Sequence, residues 1–217
     1  MNREKLNQFT LNIEFLLIST VQGVALGALA ASASEPLANL NFQYWPYILS
    51  GFLLILTFWS QAIVHSLSFI KWPLDLAHNF LYFLLGFIEF LAFNQLQDPL
   101  GWFIFQLVFV VVASVLYFVD YKLIKDGKVH FNDNPEEKAL YKHILDEQVS
   151  EMKSLIPSGL VFNSLAVFLI WKYPEIFITQ GYHVFIVGVQ VLLTIYIITV
   201  AIKSFKTRSR LISNCIK

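Results

Sequence analysis

The sequence has one cysteine, few charged residues and no excess of either charge. Because Cys215 is the only cysteine among 217 residues, neither an intrachain disulfide nor a multi-thiolate metal site can form. Charged residues make up 14% of the chain, whereas a soluble domain has about 25%. The formal net charge of zero argues against nucleic acid as a partner, since no basic domain supplies phosphate contacts. These features exclude a secreted disulfide scaffold and a nucleic-acid-binding domain.

Hydrophobic residues, by contrast, are abundant, at 57% of the chain with a mean hydropathy of +0.62. Several apolar runs reach the roughly 20 residues that a helix needs to cross a bilayer. We predict an all-α integral membrane protein, a bundle of six transmembrane helices that forms one membrane domain over residues 1–217. The predicted spans are residues 11–34, 46–70, 73–96, 99–124, 157–173 and 181–203. Pro46, Pro73, Pro99 and Pro157 each stand at a predicted start, where the missing N–H costs little.

Residues 125–156, between the fourth and fifth spans, form the only long segment outside the predicted membrane region. Asn134 is a suitable helix cap and Pro135 a suitable first residue, so we predict an amphipathic helix over 135–156. Its apolar stripe consists of Tyr141, Leu145, Val149, Met152 and Ile156. Such a helix either lies on the membrane or packs against a protein partner, and its mixed charge favours the partner.

The distribution of Lys and Arg predicts the orientation. With six spans and the N-terminus inside, Lys172 is the only basic residue on the outer side. Cytoplasmic loops carry the excess of positive charge, so both termini are expected in the cytoplasm. The chain has no N-x-S/T glycosylation site, which fits a bacterial inner membrane.

The third span carries more polar chemistry than a membrane anchor needs. On a helical wheel, six polar or small residues fall within an arc of roughly 100°. They are Asp75, His78, Asn79, Tyr82, Gly86 and Glu89. The second span has a matching stripe, formed by Ser50, Thr57, Gln61, His65 and Ser68. Ionisable groups at membrane depth are costly unless paired or wetted, so both stripes are expected to face the bundle interior.

An antiparallel hairpin of these two spans, turning near Lys71 and Trp72, would place residues at equal steps from the turn at equal depth. It predicts that His65 pairs with His78 and Gln61 with Tyr82, and likewise that Ser68 pairs with Asp75 and Thr57 with Gly86. Glu14 and Asp120 are expected at the depth of the histidines, on the cytoplasmic side. Glu89 is expected deeper, near Gln106 and His183.

The stripe favours an oligomeric channel or transporter for a cation or proton, since acidic and amide side chains along one path replace part of a hydration shell. The residues assigned to this path are Asp75, His78, Tyr82, Glu89, Gln61 and His65. No residue is assigned a catalytic role.

Other interpretations stay open. His65 and His78, with or without Asp75, are candidate ligands for haem or a metal ion in a redox protein or enzyme. No histidine box accompanies them, so no cofactor is predicted. A non-catalytic subunit or assembly protein is a further alternative, and interhelical packing through the polar groups is the simplest.

The first span carries small residues at every fourth position, namely Ser19, Gly23, Gly27 and Ala31. This spacing lets a second helix approach closely, either within the bundle or across a subunit interface. Together with the narrow space that six helices enclose, it favours a homo-oligomer in the lipid bilayer.

Overall fold

The computed structural model describes residues 3–69, 75–126 and 135–215. The predicted turn at Lys71 and Trp72, Pro73 and the Asn134 cap lie outside these residues, as does the side chain of Ser68. The described chain is all-helical, with six long α-helices. They are α1 (Arg3–Ala38), α2 (Trp45–Phe69), α3 (Leu76–Asn94), α4 (Pro99–Asp126), α5 (Pro135–Lys172) and α6 (His183–Cys215). A short 3₁₀ helix (Phe42–Tyr44) precedes α2, and one π-helical turn (Glu175–Thr179) precedes α6.

All six helices are long and apolar enough to cross a membrane. Large apolar side chains are exposed on the outer surface of every helix, among them Leu16, Phe52, Phe87, Val108, Val161 and Leu192. Such a surface would be unstable in water, because exposed apolar patches of this extent mark contact with lipid or protein. Six apolar helices with such a surface suggest an integral membrane protein.

The main helix pairings close a ring in the order α1, α3, α4, α5, α6, α2. Helix α1 thus lies between α2 and α3, and the predicted side-by-side hairpin of α2 and α3 does not form. The reason is visible at Gly86 of α3, where a Cβ would overlap the Cγ1 of Val21 on α1. The missing side chain at Gly86 lets α1 take the place beside α3 that the hairpin would give to α2.

Side chains from all six helices fill the ring. One buried cluster, in which Tyr47, Phe93, Trp102 and Phe103 are fully buried, occupies the end away from the chain termini. A second cluster, built on Ile18, Ala62, Tyr82, Leu85 and Leu116, lies nearer the termini. We call the end at which α1 begins and α6 ends the terminal end, and the other the opposite end.

Helix α5 differs from the prediction in one respect. It runs without interruption from Pro135 to Lys172, so Pro157 lies inside a helix instead of starting one. An interior proline removes a single backbone hydrogen bond, and Pro157 is exposed, so its ring is not forced against another helix. The predicted amphipathic segment 135–156 and the predicted fifth span thus form one continuous helix. Its most buried residues are Ile144 and Gln148, and the amide of Gln148 donates to the Tyr117 carbonyl oxygen of α4.

Candidate functional site

The most unusual polar group in the structure is a buried carboxylate that binds two histidines. Asp120 of α4 accepts a hydrogen bond on Oδ1 from His78 Nδ1 of α3, at 2.7 Å. Its other oxygen, Oδ2, lies 3.1 Å from His65 Nδ1 of α2. The side chains of Asp120, His78 and His65 are 0, 1 and 4% exposed. Three consecutive helices, α2, α3 and α4, are thus joined at one ionisable centre, which we call the Asp120 site.

Helix geometry explains how these residues meet. Alternating helix directions bring the end of α2, the start of α3 and the end of α4 to the terminal end. Asp75 caps α3 by accepting a hydrogen bond from the backbone N–H of His78 at 2.9 Å. This cap fixes the first turn of α3 and so the position from which His78 reaches Asp120. Asp75 itself is bound to the backbone and does not belong to the Asp120 site.

Further polar side chains surround His78. The carboxyl of Glu14, on α1 and almost fully buried, lies close to His78 and Asn79. The rings of His78 and Tyr82 are 4.7 Å apart. His78 Nε2 and both amide atoms of Asn79 are buried and have no hydrogen-bond partner among the described residues. His78 therefore lies near three carboxyl groups, those of Asp120, Glu14 and Asp75, and its Nε2 has no partner among the described residues.

The arrangement fixes what each imidazole can do. With Asp120 ionised, each Nδ1 carries the hydrogen, because a carboxylate only accepts hydrogen bonds. Nε2 is then the atom on which a histidine gains or loses a proton. Two imidazoles share one carboxylate, so a positive charge on either is compensated by the same negative charge. The Asp120 site can hold one proton in either of two places.

A cavity of about 310 Å³ lies between α2, α5 and α6 at the terminal end. Its polar lining consists of Gln61, Glu147, Ser150, Glu151, Ser154 and Tyr196. Glu147 is neutralised by Arg208, whose Nε and Nη2 lie 2.8 and 2.7 Å from one carboxylate oxygen. The carboxyl of Glu151 lies beside the Tyr117 phenol and within electrostatic reach of His65.

Glu89 forms a separate site nearer the opposite end. Its Oε2 accepts a hydrogen bond from the Gln22 amide of α1 at 2.9 Å, and both side chains are buried. The remaining carboxyl oxygen of Glu89 has no partner among the described residues. Eleven residues along α3 separate Glu89 from His78, a rise of roughly 16 Å. The buried side chains of Tyr82 and Leu85 lie between them on the same helix.

The opposite end holds neutral polar pairs. The hydroxyl of Tyr47 lies 3.0 Å from His183 Nδ1, and the indole N–H of Trp102 donates to Gln190 at 3.0 Å. Each pair satisfies a polar atom on an aromatic side chain within the apolar cluster. These contacts join α2 and α4 to α6.

The residues assigned to the pathway from sequence do not form one continuous stripe. His65, His78 and Tyr82 come together at the Asp120 site, Gln61 lines the cavity, and Glu89 lies apart with Gln22. The predicted contact of His65 with His78 has its counterpart in the structure, because both bind Asp120. Gly86, which the hairpin would place at the depth of Thr57, packs on Val21 of α1.

Sequence reasoning missed Asp120 as the centre, Gln22 as the partner of Glu89, and the pair of Glu147 with Arg208. Asp120 had a signal, since it is an acid near the end of a span at the depth of both histidines. Gln22 and Arg208 had none, because their contacts depend on which helices are neighbours.

Two further predicted sites are placed by the structure. Among the described residues, no group of three or more histidine, cysteine or acidic side chains is arranged to hold a metal ion. Asp75 caps α3, and the Nδ1 atoms of His65 and His78 are directed at Asp120. The small-residue stripe of α1 lies on the outer surface, where Ser19, Gly23, Gly27 and Ala31 are all exposed. It makes no interhelical contact of the close type at Gly23 or Gly27 within the described chain.

Comparison with known proteins returns no match: no family model, no curated protein and no solved structure is significantly similar to this chain.

Proposed function

We propose that this chain is a membrane transport protein that moves protons, alone or coupled to another cation, and that the Asp120 site binds the transported proton. The observation that carries the proposal is the fully buried Asp120 carboxylate held by two histidines from two other helices. Burying an ionisable group in a membrane protein costs free energy, and such groups typically mark ion or proton pathways. Histidine is the side chain whose charge changes most readily near neutral pH.

A role in packing alone explains the Asp120 site less well. Hydrogen bonds between neutral side chains join helices at lower cost, as Trp102 and Gln190 do at the opposite end. Three ionisable groups at one buried point, with Glu14 close by, exceed what interhelical packing needs. Proton binding accounts for these ionisable side chains, because one proton can reside on either imidazole next to the negative charge of Asp120.

The packed interior favours a carrier over an open pore. Buried side chains such as Leu85 and Tyr82 separate the Asp120 site from Glu89, and the aromatic cluster fills the opposite end. Movement of helices would be needed to pass a proton from the Asp120 site to Glu89. Glu89, with one carboxyl oxygen unpartnered, is the second proton site in this proposal.

The proposed setting is a bacterial inner membrane with both termini in the cytoplasm, as the distribution of basic residues favours. The Asp120 site and the cavity then lie toward the cytoplasm, and Glu89 lies toward the outside. A second copy of the chain is the proposed partner for the exposed small-residue stripe of α1.

The test is transport by purified protein in liposomes that contain a pH-sensitive dye. A proton gradient, a sodium gradient and a potassium gradient are imposed in turn, with and without an ionophore that clamps the membrane potential. The proposal expects dye quenching that depends on protein and on the proton gradient. Absence of proton movement under all gradients, from protein that elutes as a folded species, would contradict it.

A further inference from the structure

We infer that the cavity between α2, α5 and α6 is the route by which protons reach the Asp120 site from the terminal end, and that Glu151 is the residue that takes them up. This inference rests on the proposed function and assigns the access route of the same site. The route consists of the cavity, Glu151, His65 and Asp120, in that order.

Glu151 occupies a position on α5 that faces both the cavity and the protein interior. Its side chain lines the cavity, together with Gln61, Ser150 and Ser154. Ser150 and Ser154 are exposed, so this part of the lining is accessible from outside the bundle. Oxygen Oε2 of Glu151 is buried and has no hydrogen-bond partner among the described residues. Glu151 thus lies between an open cavity and the protein interior.

Glu151 is linked to the Asp120 site through Tyr117 and His65. The Glu151 carboxyl lies beside the phenol of Tyr117, whose ring is packed edge-on against His65, with centroids 6.1 Å apart. His65 is within electrostatic reach of Glu151 and lies 3.1 Å from Asp120. Tyr117 and His65 therefore lie between Glu151 and the buried centre.

Charged and titratable side chains from four helices surround Glu151. The charged and titratable groups that face it are His65 on α2, Tyr117 on α4, Glu147 on α5, and Arg208 and the cavity residue Tyr196 on α6. Glu147 forms a salt bridge with Arg208 at 2.7 Å. Of the two acids in the cavity lining, Glu147 is bound directly by Arg208, whereas Glu151 interacts electrostatically with Arg208 and His65.

The transfer balances with water as the only co-reactant. Hydronium in the cavity gives its proton to the Glu151 carboxylate and leaves water. The Glu151 carboxylic acid then gives the proton to the imidazole of His65 and returns to the carboxylate form. The resulting imidazolium is compensated by Asp120, to which it stays hydrogen-bonded.

The test compares proton flux in liposomes for wild type, Glu151→Gln, Glu151→Asp and the matched control Asp146→Asn, an exposed acid on the same helix. We expect Glu151→Gln to slow flux by about tenfold or more, since positioned proton-transfer groups contribute factors of this size. Glu151→Asp keeps a carboxyl group and should retain more flux. Formate, a weak acid small enough for the cavity, should restore flux to Glu151→Gln and not to Asp120→Asn.

A second measurement does not depend on transport. Ser154→Cys, combined with Cys215→Ser, should react with a membrane-impermeant thiol reagent, and faster than a cysteine at the buried position Ala166. An unreactive Ser154→Cys would overturn the cavity as an aqueous route. Undiminished flux in Glu151→Gln, beside lost flux in Asp120→Asn, would overturn the role of Glu151 and leave the proposed function standing. Absence of flux in wild type would overturn the proposed function, and the uptake role with it.

Discussion

At the scale of single residues, the buried polar side chains are of two kinds. Neutral pairs join neighbouring helices, whereas ionisable groups carry charge. Trp102 with Gln190 is a pair of neutral groups. The Asp120 site is different, because a carboxylate that is 0% exposed is stable only while its histidine partners remain. Removal of one partner from a buried ionic group costs about 3–5 kcal/mol, more than the pair itself contributes.

Replacement of one histidine therefore tests the energetics of the Asp120 site. We expect His78→Ala to lower the free energy of unfolding by about 3 kcal/mol, because the shorter of the two hydrogen bonds to Asp120 is lost. The double variant His78→Ala with Asp120→Ala should be less destabilised than the sum of the two single variants, since no charge is then left buried. Unfolding in mild detergent, followed by tryptophan fluorescence, measures all three. Additive effects would show that the two side chains are not energetically coupled.

Glu89 gives a second prediction at this scale. Gln22→Leu removes the one described hydrogen-bond donor of a buried carboxyl group and should cost about 1–3 kcal/mol. Glu89→Gln leaves an amide that still pairs with Gln22, so its cost should be smaller. Thermal unfolding measures which of the two variants, Gln22→Leu or Glu89→Gln, loses more stability. A larger loss for Glu89→Gln would mean that the carboxylate charge itself stabilises the fold.

At the scale of helices, α1 and α3 approach each other closely at Gly86. A Cβ at this position would overlap Val21 Cγ1 and lie 3.4 Å from Val21 Cβ. Gly86→Ala should therefore destabilise the protein by about 1–3 kcal/mol, as overpacking does. Val21→Ala removes the clashing methyl groups and should restore most of that loss in the double variant. Gly23→Ala, where a Cβ meets nothing within 4 Å, is the control in the same thermal assay.

An equal effect of Gly86→Ala and Gly23→Ala would contradict the close packing of α1 on α3. The same result would reopen the hairpin of α2 and α3 that the sequence predicts.

The sequence predicts the number of helices but not their order around the ring. The length of the apolar runs alone identifies six helices, because a helix that crosses a bilayer must be apolar over the whole bilayer thickness. Alternating helix direction also brings His65 and His78 to one depth. The order of helices around the ring cannot be predicted this way, since it depends on contacts such as Gly86 with Val21. Asp120 and Gln22 were therefore not recognised as partners, and Pro157 was taken for a helix start.

At the scale of the whole molecule, the outer face of α1 is where a second copy is proposed to bind. Gly23 and Gly27 are exposed and a Cβ on either meets no atom of the described chain. Gly23→Leu with Gly27→Leu should therefore leave the monomer folded and weaken self-association by tenfold or more, roughly 1.4 kcal/mol. Energy transfer between labelled chains in liposomes at decreasing protein-to-lipid ratio measures this. Gly188→Leu, on the open surface of α6, is the matched control.

Unchanged energy transfer in the α1 variant, or no transfer in wild type, would contradict association through this face.

The central claim is that the Asp120 site binds the transported proton, and proton flux through Asp120→Asn tests it most directly. Asparagine keeps the size of the side chain and one acceptor oxygen but lacks the negative charge that compensates an imidazolium. We expect flux in Asp120→Asn to fall by about 10²-fold, in the range for loss of a proton-transfer group. Asp126→Asn, an exposed acid at the end of the same helix, should transport like wild type. Flux through Asp120→Asn equal to that of wild type would contradict the account.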